Sequence, residues 1–218
     1  MHLAENSAVR RRSFVLLFLP LLLAAVVSMG CVAAPTLYPL YDKSVAATDD
    51  TIVGRWDGVD QPDAKQKQTA TQKKNDNKNN CCWTIQKDGD SYVSLLDDTD
   101  DKQIWVSKLH LLKLGDAMFF DAESGDVSYS KTTKVSSPVL KAHGIGRIWI
   151  EKDALRIEML SDDWLRDSAK NGAPELSFVE PDKQLIVTAT TAQLQAFALK
   201  YANDTKVFSE ETKFTRHK

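Results

Sequence analysis

The sequence is short of several features that would assign it to a common class of protein. It has three cysteines among 218 residues, too few for a disulfide scaffold or a four-cysteine zinc site. Lysine and arginine total 28 against 30 aspartates and glutamates, so the basic excess of a nucleic-acid-binding domain is missing. After residue 31, no run approaches the roughly 20 apolar residues that span a bilayer. Because the basic excess is missing, we expect no nucleic-acid partner.

Motifs of common enzymes are missing as well. There is no Gly-x-Ser-x-Gly elbow, Walker loop or Gly-x-Gly-x-x-Gly fingerprint. His110, His143 and His217 lie far apart without the spacing of a zinc motif. The acidic run at 97–101 lacks the glycine and glutamate positions of an EF-hand. We expect no metal or cofactor, and the sequence favours a non-enzymatic protein over an enzyme.

Residues 1–30 predict a secretory signal peptide. The basic cluster Arg10-Arg11-Arg12 precedes an apolar run over 14–27, and small or slim residues follow at 28–30. These are the regions of a signal peptide. The apolar run is about 14 residues long, shorter than a membrane span, so a transmembrane helix is the less favoured alternative.

The residues around Cys31 point to a lipid anchor. Val27-Ser28-Met29-Gly30-Cys31 resembles the lipobox of bacterial lipoproteins, with Ser28 departing from the usual aliphatic residue. The resemblance implies cleavage before Cys31 and acylation of that cysteine with chains such as palmitate. Because Val32 follows it, and not Asp, the resemblance also implies the outer membrane, facing the periplasm. A plain secretory signal cut near Ala33-Ala34 is the alternative.

We divide the remaining chain into a lipidated N-terminus with a tether over 31–50 and a β-rich domain over 51–218. The tether is predicted from its prolines, small residues and lack of periodicity. Its Leu and Tyr side chains at 37–41 could instead pack on the domain or sit at the membrane interface. A polar insertion at about 60–80 has almost no aliphatic residues and is predicted to be disordered.

Short strands account for most of the domain. Segments 81–87 and 91–96 flank an Asp-Gly-Asp turn, which predicts a hairpin. Over 139–151, glycine and aliphatic residues alternate with polar ones, which predicts a curved, half-buried strand with the glycines on its inner face. Ile145 and Trp149 are exceptions to this alternation. A last strand pair is predicted between 184–189 and 213–216.

Two helices are predicted among these strands. Ser161 or Asp162 caps the first, which ends before Gly172. Thr190 and Gln193 have the spacing of a capping box that opens the second. One apolar stripe on that helix predicts packing against the sheet; it contains Leu194, Phe197, Ala198 and Tyr201.

The predicted fold is mainly β, of the α+β type. It is an antiparallel meander curled or closed into a small barrel, with two short helices packed on it. Gly54-Arg55-Trp56 resembles the Gly-x-Trp signature that opens lipocalins, which also place a helix near the C-terminus. The resemblance implies a lipocalin-like barrel, and the helix near Trp164 departs from that plan.

Cysteines and tryptophans offer further candidates. Cys81 and Cys82 are adjacent on a strand and point to opposite faces. We expect both thiols to be reduced, with pairing between molecules or a vicinal disulfide as alternatives. Most of the five tryptophans are expected in the core. Trp149, beside Arg147 on the polar face, is expected to be exposed or covered by a helix.

Together these features predict a lipid-anchored protein of the bacterial cell envelope. Its partners would be the membrane, through the lipid, and an envelope protein, for which it acts as a non-enzymatic binding or assembly module. The alternative is a lipocalin-like carrier of a small apolar ligand, with a cavity lined by Trp83, Ile85, Leu155 and Ile157. A periplasmic hydrolase is the second alternative, and it needs a cleft where His110 or His143 meets a carboxylate.

Overall fold

The computed structural model describes residues 33–59, 81–98, 103–129, 133–135, 141–172 and 175–218. The chain divides into two compact units, residues 1–30 and 31–218, and the second is described below. The predicted signal peptide, Cys31 and the polar insertion at 60–80 lie outside the described residues. Among the residues that are described, no helix is long and apolar enough to cross a membrane.

Strands dominate the described part of the second unit. They are β1 (Ala46–Ala47), β2 (Gly54–Gly58), β3 (Cys81–Asp88), β4 (Ser91–Asp98), β5 (Gln103–Leu114), β6 (Ala117–Tyr129), β7 (Thr133–Val135), β8 (His143–Ile150), β9 (Ala154–Leu160), β10 (Phe178–Val179), β11 (Ile186–Val187) and β12 (Phe208–Arg216). The α-helices are α1 (Asp162–Lys170) and α2 (Thr191–Lys200). Short 3-10 turns lie at Asp50–Ile52 and Pro181–Lys183.

Eight strands close into one antiparallel barrel. Each pairs with the next along the chain, in the order β2, β3, β4, β5, β6, β8, β9 and β12, and β12 then pairs with β2. β1 adds to β5, β7 adds to β6, and β10 pairs with β11 in a separate two-stranded sheet. This order confirms the predicted fold class, a meander closed into a small lipocalin-like barrel.

Apolar side chains form two cores. The first takes residues from all eight barrel strands and therefore fills the barrel interior: Trp56, Trp83, Ile85, Tyr92, Leu109, Leu111, Phe120, Ile148, Leu155 and Phe214. The second lies outside the barrel and joins its wall to both helices and to the segment after Ala33. Its larger members are Leu40, Leu112, Phe119, Ile145, Leu160, Leu165, Leu194, Phe197 and Phe208.

The structure confirms both predicted helices and their caps. The Ser161 hydroxyl accepts the backbone N–H of Trp164 at the start of α1. Thr190 and Gln193 form the predicted capping box of α2. Local side-chain and backbone hydrogen bonds fix these starts, which is why they are visible in the sequence.

Strand β8 shows the predicted alternation. Ile148 lies in the inner core, and the residues of the same parity include Gly144 and Gly146. A Cβ atom at Gly146 would lie 2.9 Å from a ring carbon of Phe120 and 2.3 Å from the Glu158 carbonyl oxygen. Glycine is required there because neighbouring strands approach so closely. Ile145 faces outward but is buried in the outer core, so it is not exposed despite its parity.

The segment 33–47 differs from the predicted tether. Ala34, Thr36 and Leu40 are each 0% exposed. Backbone hydrogen bonds link Thr36 with His143 in both directions, at 2.9 Å, and link Leu37 to the Val187 carbonyl at 2.8 Å. We call residues 33–47 the strap, because they run across the outside of the barrel. Its small and apolar residues are explained by burial in the outer core and not by flexibility.

Two strand predictions need correction. Residues 184–189 do not pair with 213–216: β11 pairs with β10, whereas β12 pairs with β2 and β9. The sequence pattern at 51–56 also predicts a short strand that opens the domain, but the first barrel strand begins at Gly54, since a 3-10 turn occupies Asp50–Ile52. In both places the register depends on distant partners, which a local pattern does not encode.

Candidate functional site

The two ends of the barrel carry different connections. At the hairpin end, tight turns join β3 to β4, β5 to β6 and β8 to β9. At the opposite end, β9 finishes at Leu160 and passes into α1. β2 and β4 also finish at this second end, and β3, β5 and β8 begin there. We call it the Leu160 end.

The four residues predicted to line a cavity lie together inside the barrel. Trp83, Ile85 and Leu155 are 6%, 1% and 1% exposed, and Ile157 packs against the same cluster. The indole N–H of Trp83 donates to the Ser94 hydroxyl at 2.6 Å, which satisfies its buried polar atom. The structure therefore brings together all four side chains that the carrier hypothesis names.

Trp105 marks the Leu160 end of the interior. The cross-strand register aligns it with Leu96, and Leu96 with Trp83, so its side chain lies on the inner face. Trp105 is nevertheless 46% exposed. Leu96, Ile157 and Met159, on the same inner face, are only partly buried. Solvent thus reaches part of the inner face at Trp105 and at these three side chains.

A histidine–carboxylate pair lies on the outer face of the barrel. His143 Nδ1 lies 2.7 Å from Oδ1 of Asp121, and the Asp121 side chain is 1% exposed. The second oxygen, Oδ2, accepts the backbone N–H of Tyr41 at 2.9 Å. His143 thus meets a carboxylate, as the hydrolase hypothesis requires. Both carboxylate oxygens are already engaged, however: Oδ1 holds His143 and Oδ2 holds the strap, so the geometry favours a structural role.

His110 lies next to this pair, under the strap. Its ring stacks on Tyr41 with 4.0 Å between centroids, and its buried Nδ1 has no hydrogen-bond partner among the residues that the structure describes. Burial, together with the charge of Lys108, lowers the pKa of His110. The neutral imidazole is therefore the form that the folded protein favours.

Trp149 lies on the outer face of β8, between two arginines. The guanidinium carbon of Arg156 is 3.4 Å from the centroid of the Trp149 ring, and that of Arg147 is 4.2 Å away. The sequence predicts that Trp149 is exposed or covered by a helix, whereas in the structure two arginine side chains cover its ring. Cation–π attraction explains this placement of an aromatic ring on a polar face.

Shallow grooves flank Trp149. One, of about 270 Å³, is also lined by Val59, Ala154 and Lys213. Another, of about 300 Å³, is lined by Met118 and Arg147 together with acidic residues. Cation and carboxylate charges alternate around them, so neither groove has the single-sign lining of an ion-binding site.

A buried carboxylate supports the arginine beside Trp149. Glu158 is 6% exposed and accepts a 2.8 Å hydrogen bond from Arg156, which also donates to Glu211 at 3.0 Å. Burial raises the pKa of Glu158, while the charges of Arg156 and Arg147 lower it. Arg156 therefore stacks on Trp149 and stabilises the Glu158 charge at once.

Cys82 is buried as a free thiol. Its Sγ accepts a 3.2 Å hydrogen bond from Arg55. The side chain of Cys81 lies outside the described residues, so the state of that thiol remains a prediction. Within the described ranges, no group of three or more metal-ligating side chains comes together.

Sequence reasoning missed Asp121 and Arg156, the residues around which these clusters are built. One signal was available for Asp121. It lies between Phe120 and Ala122 on a strand, and a carboxylate inside an apolar run needs a buried partner.

The chain matches no family model, and it matches none of the curated proteins or solved structures with which it was compared.

Proposed function

We propose that the protein is a lipid-anchored component of a bacterial cell envelope, held through Cys31 and acting as a non-enzymatic binding or assembly module. The lipobox-like residues 27–31 and the preceding apolar run support this proposal. With Val32 after the cysteine, the proposed location is the outer membrane, facing the periplasm.

One observation carries the proposal: the described part of the fold begins two residues after Cys31. Ala33 forms a bridge with Ser161, and the Ala34 N–H donates to the Leu160 carbonyl at 3.1 Å. A lipid on Cys31 would therefore attach to the folded domain almost directly. The barrel would sit on the membrane surface instead of extending from it on a long tether.

A non-enzymatic role agrees with how the polar groups are used. The His143–Asp121 pair fastens the strap, and the Arg156–Glu158 pair fastens the barrel wall. Buried pairs whose hydrogen bonds are already satisfied fix a structure. Such a rigid domain suits a module that presents its surface to an envelope partner.

The test replaces Cys31 with Ser and follows acylation and membrane fractionation. We expect Cys31→Ser to lose incorporation of labelled palmitate and to leave the membrane fraction. Cys82→Ser is the matched control and should keep both properties, since that thiol is buried in the fold. A Cys31→Ser protein that stays acylated and membrane-bound contradicts the proposal.

We propose as a second candidate that the barrel carries a small apolar ligand. The supporting observation is that Trp105, Leu96 and Ile157 are only partly buried on the inner face of the barrel, which also carries the other three predicted lining residues. A fluorescent fatty acid provides the probe. Saturable binding that Ile157→Asp abolishes, in a protein that still folds, supports the carrier. Binding that Ile157→Asp leaves intact contradicts it.

A further inference from the structure

The strap fixes where the chain enters the fold. The Ala33–Ser161 bridge and the Ala34–Leu160 hydrogen bond place the first described residues at the Leu160 end of the barrel. Ala34 is 0% exposed, so this entry point is held by packing as well. Cys31 precedes Ala33 by two residues, and its Cα therefore lies within about 7 Å of the Ala33 Cα. Any lipid on Cys31 leaves the domain at this end.

The same end carries an exposed tryptophan. Trp105 lies near the start of β5, which begins at the Leu160 end, and it is 46% exposed. An indole combines an apolar body with one N–H donor, and tryptophan is enriched at the boundary between lipid and water for that reason. The partly buried Leu96 beside it adds apolar surface.

We propose that the Leu160 end of the barrel faces the bilayer, with Trp105 in the interfacial layer. This inference rests on the proposed lipidation of Cys31. The distance from the Cys31 Cα to the Ala33 Cα is at most about 7 Å. The barrel is longer than this, since the eight residues of β8 span roughly 25 Å. The hairpin end is therefore held away from the membrane, and the exposed part of Trp105 lies on the side of the domain that faces lipid. The same orientation leaves Trp149, near the hairpin end, in water.

Quenching by brominated lipid tests this orientation. The full-length acylated protein is placed in vesicles of phosphatidylcholine, either unmodified or brominated near the headgroup end of the acyl chains. We expect brominated lipid to reduce tryptophan fluorescence, and Trp105→Phe to remove most of that reduction. Trp149→Phe is the matched control at the opposite end and should retain it. The neutral lipid excludes a charge-driven association.

Two controls separate the possible results. Flotation with vesicles reports the anchor itself, and equal melting temperatures show that both variants fold. If Trp105→Phe floats and is still quenched like the wild type, the orientation is wrong while the lipid anchor stands. That result would place another surface on the bilayer, such as the side with Tyr38 and Val179, which are 46% and 50% exposed. If the acylated wild type does not float, the anchor and the orientation both fail.

Discussion

Asp121 holds His143 through one carboxylate oxygen and the strap through the other. Oδ1 lies 2.7 Å from His143 Nδ1, and Oδ2 accepts the Tyr41 N–H at 2.9 Å. The carboxylate is 1% exposed, so both contacts are shielded from water. A single side chain on β6 thus joins β8 to the N-terminal segment that leads to Cys31.

Replacing Asp121 with Ala should weaken the whole strap. The change leaves the His143 ring and the Tyr41 N–H without a partner in a buried place, and such losses cost about 3 kcal/mol. Urea unfolding measures the free energy of unfolding. Hydrogen exchange at the Tyr41 amide measures local opening of the strap. Glu123→Gln is the control on the same strand, because Glu123 pairs with the exposed Lys141 and should cost under about 1 kcal/mol. Equal losses from both variants would contradict this role for Asp121.

Stability should fall on mild acidification because of His110. Burial lowers its pKa in the folded protein, so the unfolded chain binds a proton at higher pH than the folded one. As the pH falls through the ordinary histidine pKa, about 6.5, proton binding favours unfolding. His110→Phe keeps a ring against Tyr41 and removes this titration. Between pH 7.5 and pH 5.5 the wild type should therefore lose more unfolding free energy than the variant does. A constant difference would show that His110 makes no contribution.

Replacing Arg156 with Met should destabilise the protein, because the buried carboxylate of Glu158 loses its positive partner. The carboxylate, 6% exposed, would lose its hydrogen-bond donor, which costs about 2 to 3 kcal/mol at pH 7. Losing the positive charge raises the pKa of Glu158 further above its usual range. The loss in unfolding free energy should therefore be smaller at pH 5 than at pH 7. At the lower pH the buried carboxyl group of Glu158 binds a proton more readily, and its neutral form needs no positive partner. The double variant Arg156→Met with Glu158→Gln should recover most of the stability at pH 7. An equal loss at both pH values argues against this account.

The glycines of β8 offer a matched pair of substitutions. In Gly146→Ala the new Cβ would lie 2.3 Å from the Glu158 carbonyl oxygen, which forces two backbones apart. In Gly144→Ala it would lie 3.5 Å from the Met159 methyl carbon, an ordinary contact. We expect a loss of about 2 to 3 kcal/mol for the first and under about 1 kcal/mol for the second, measured by thermal unfolding. Similar melting temperatures for the two variants would mean that the strands can separate freely.

Features that depend on near neighbours were predictable. The turn at Gly89 and the caps at Ser161 and Thr190 follow from residues within three or four positions of one another. The alternation in β8 identified its inner face for the same reason. These local signals were sufficient for a meander with two helices.

The strap and the clusters around Asp121 and Arg156 were not predictable in this way. His143 and Asp121 are 22 positions apart, and Tyr41 and Asp121 are 80 apart. Small and apolar residues with prolines are compatible with a loose tether or with a packed segment. The choice depends on whether a complementary surface exists, and only the closed barrel supplies it.

By itself, the sequence determined the signal-like start, the Cys31 motif, the strands with their tight turns, and the helix caps. Each of these is set by residues that are close together in the chain. Tertiary structure decided that the strap is buried, that Asp121 holds it, and that Trp149 lies between two arginines. The reason is that barrel closure fixes the register of distant strands, and register determines which side chains meet.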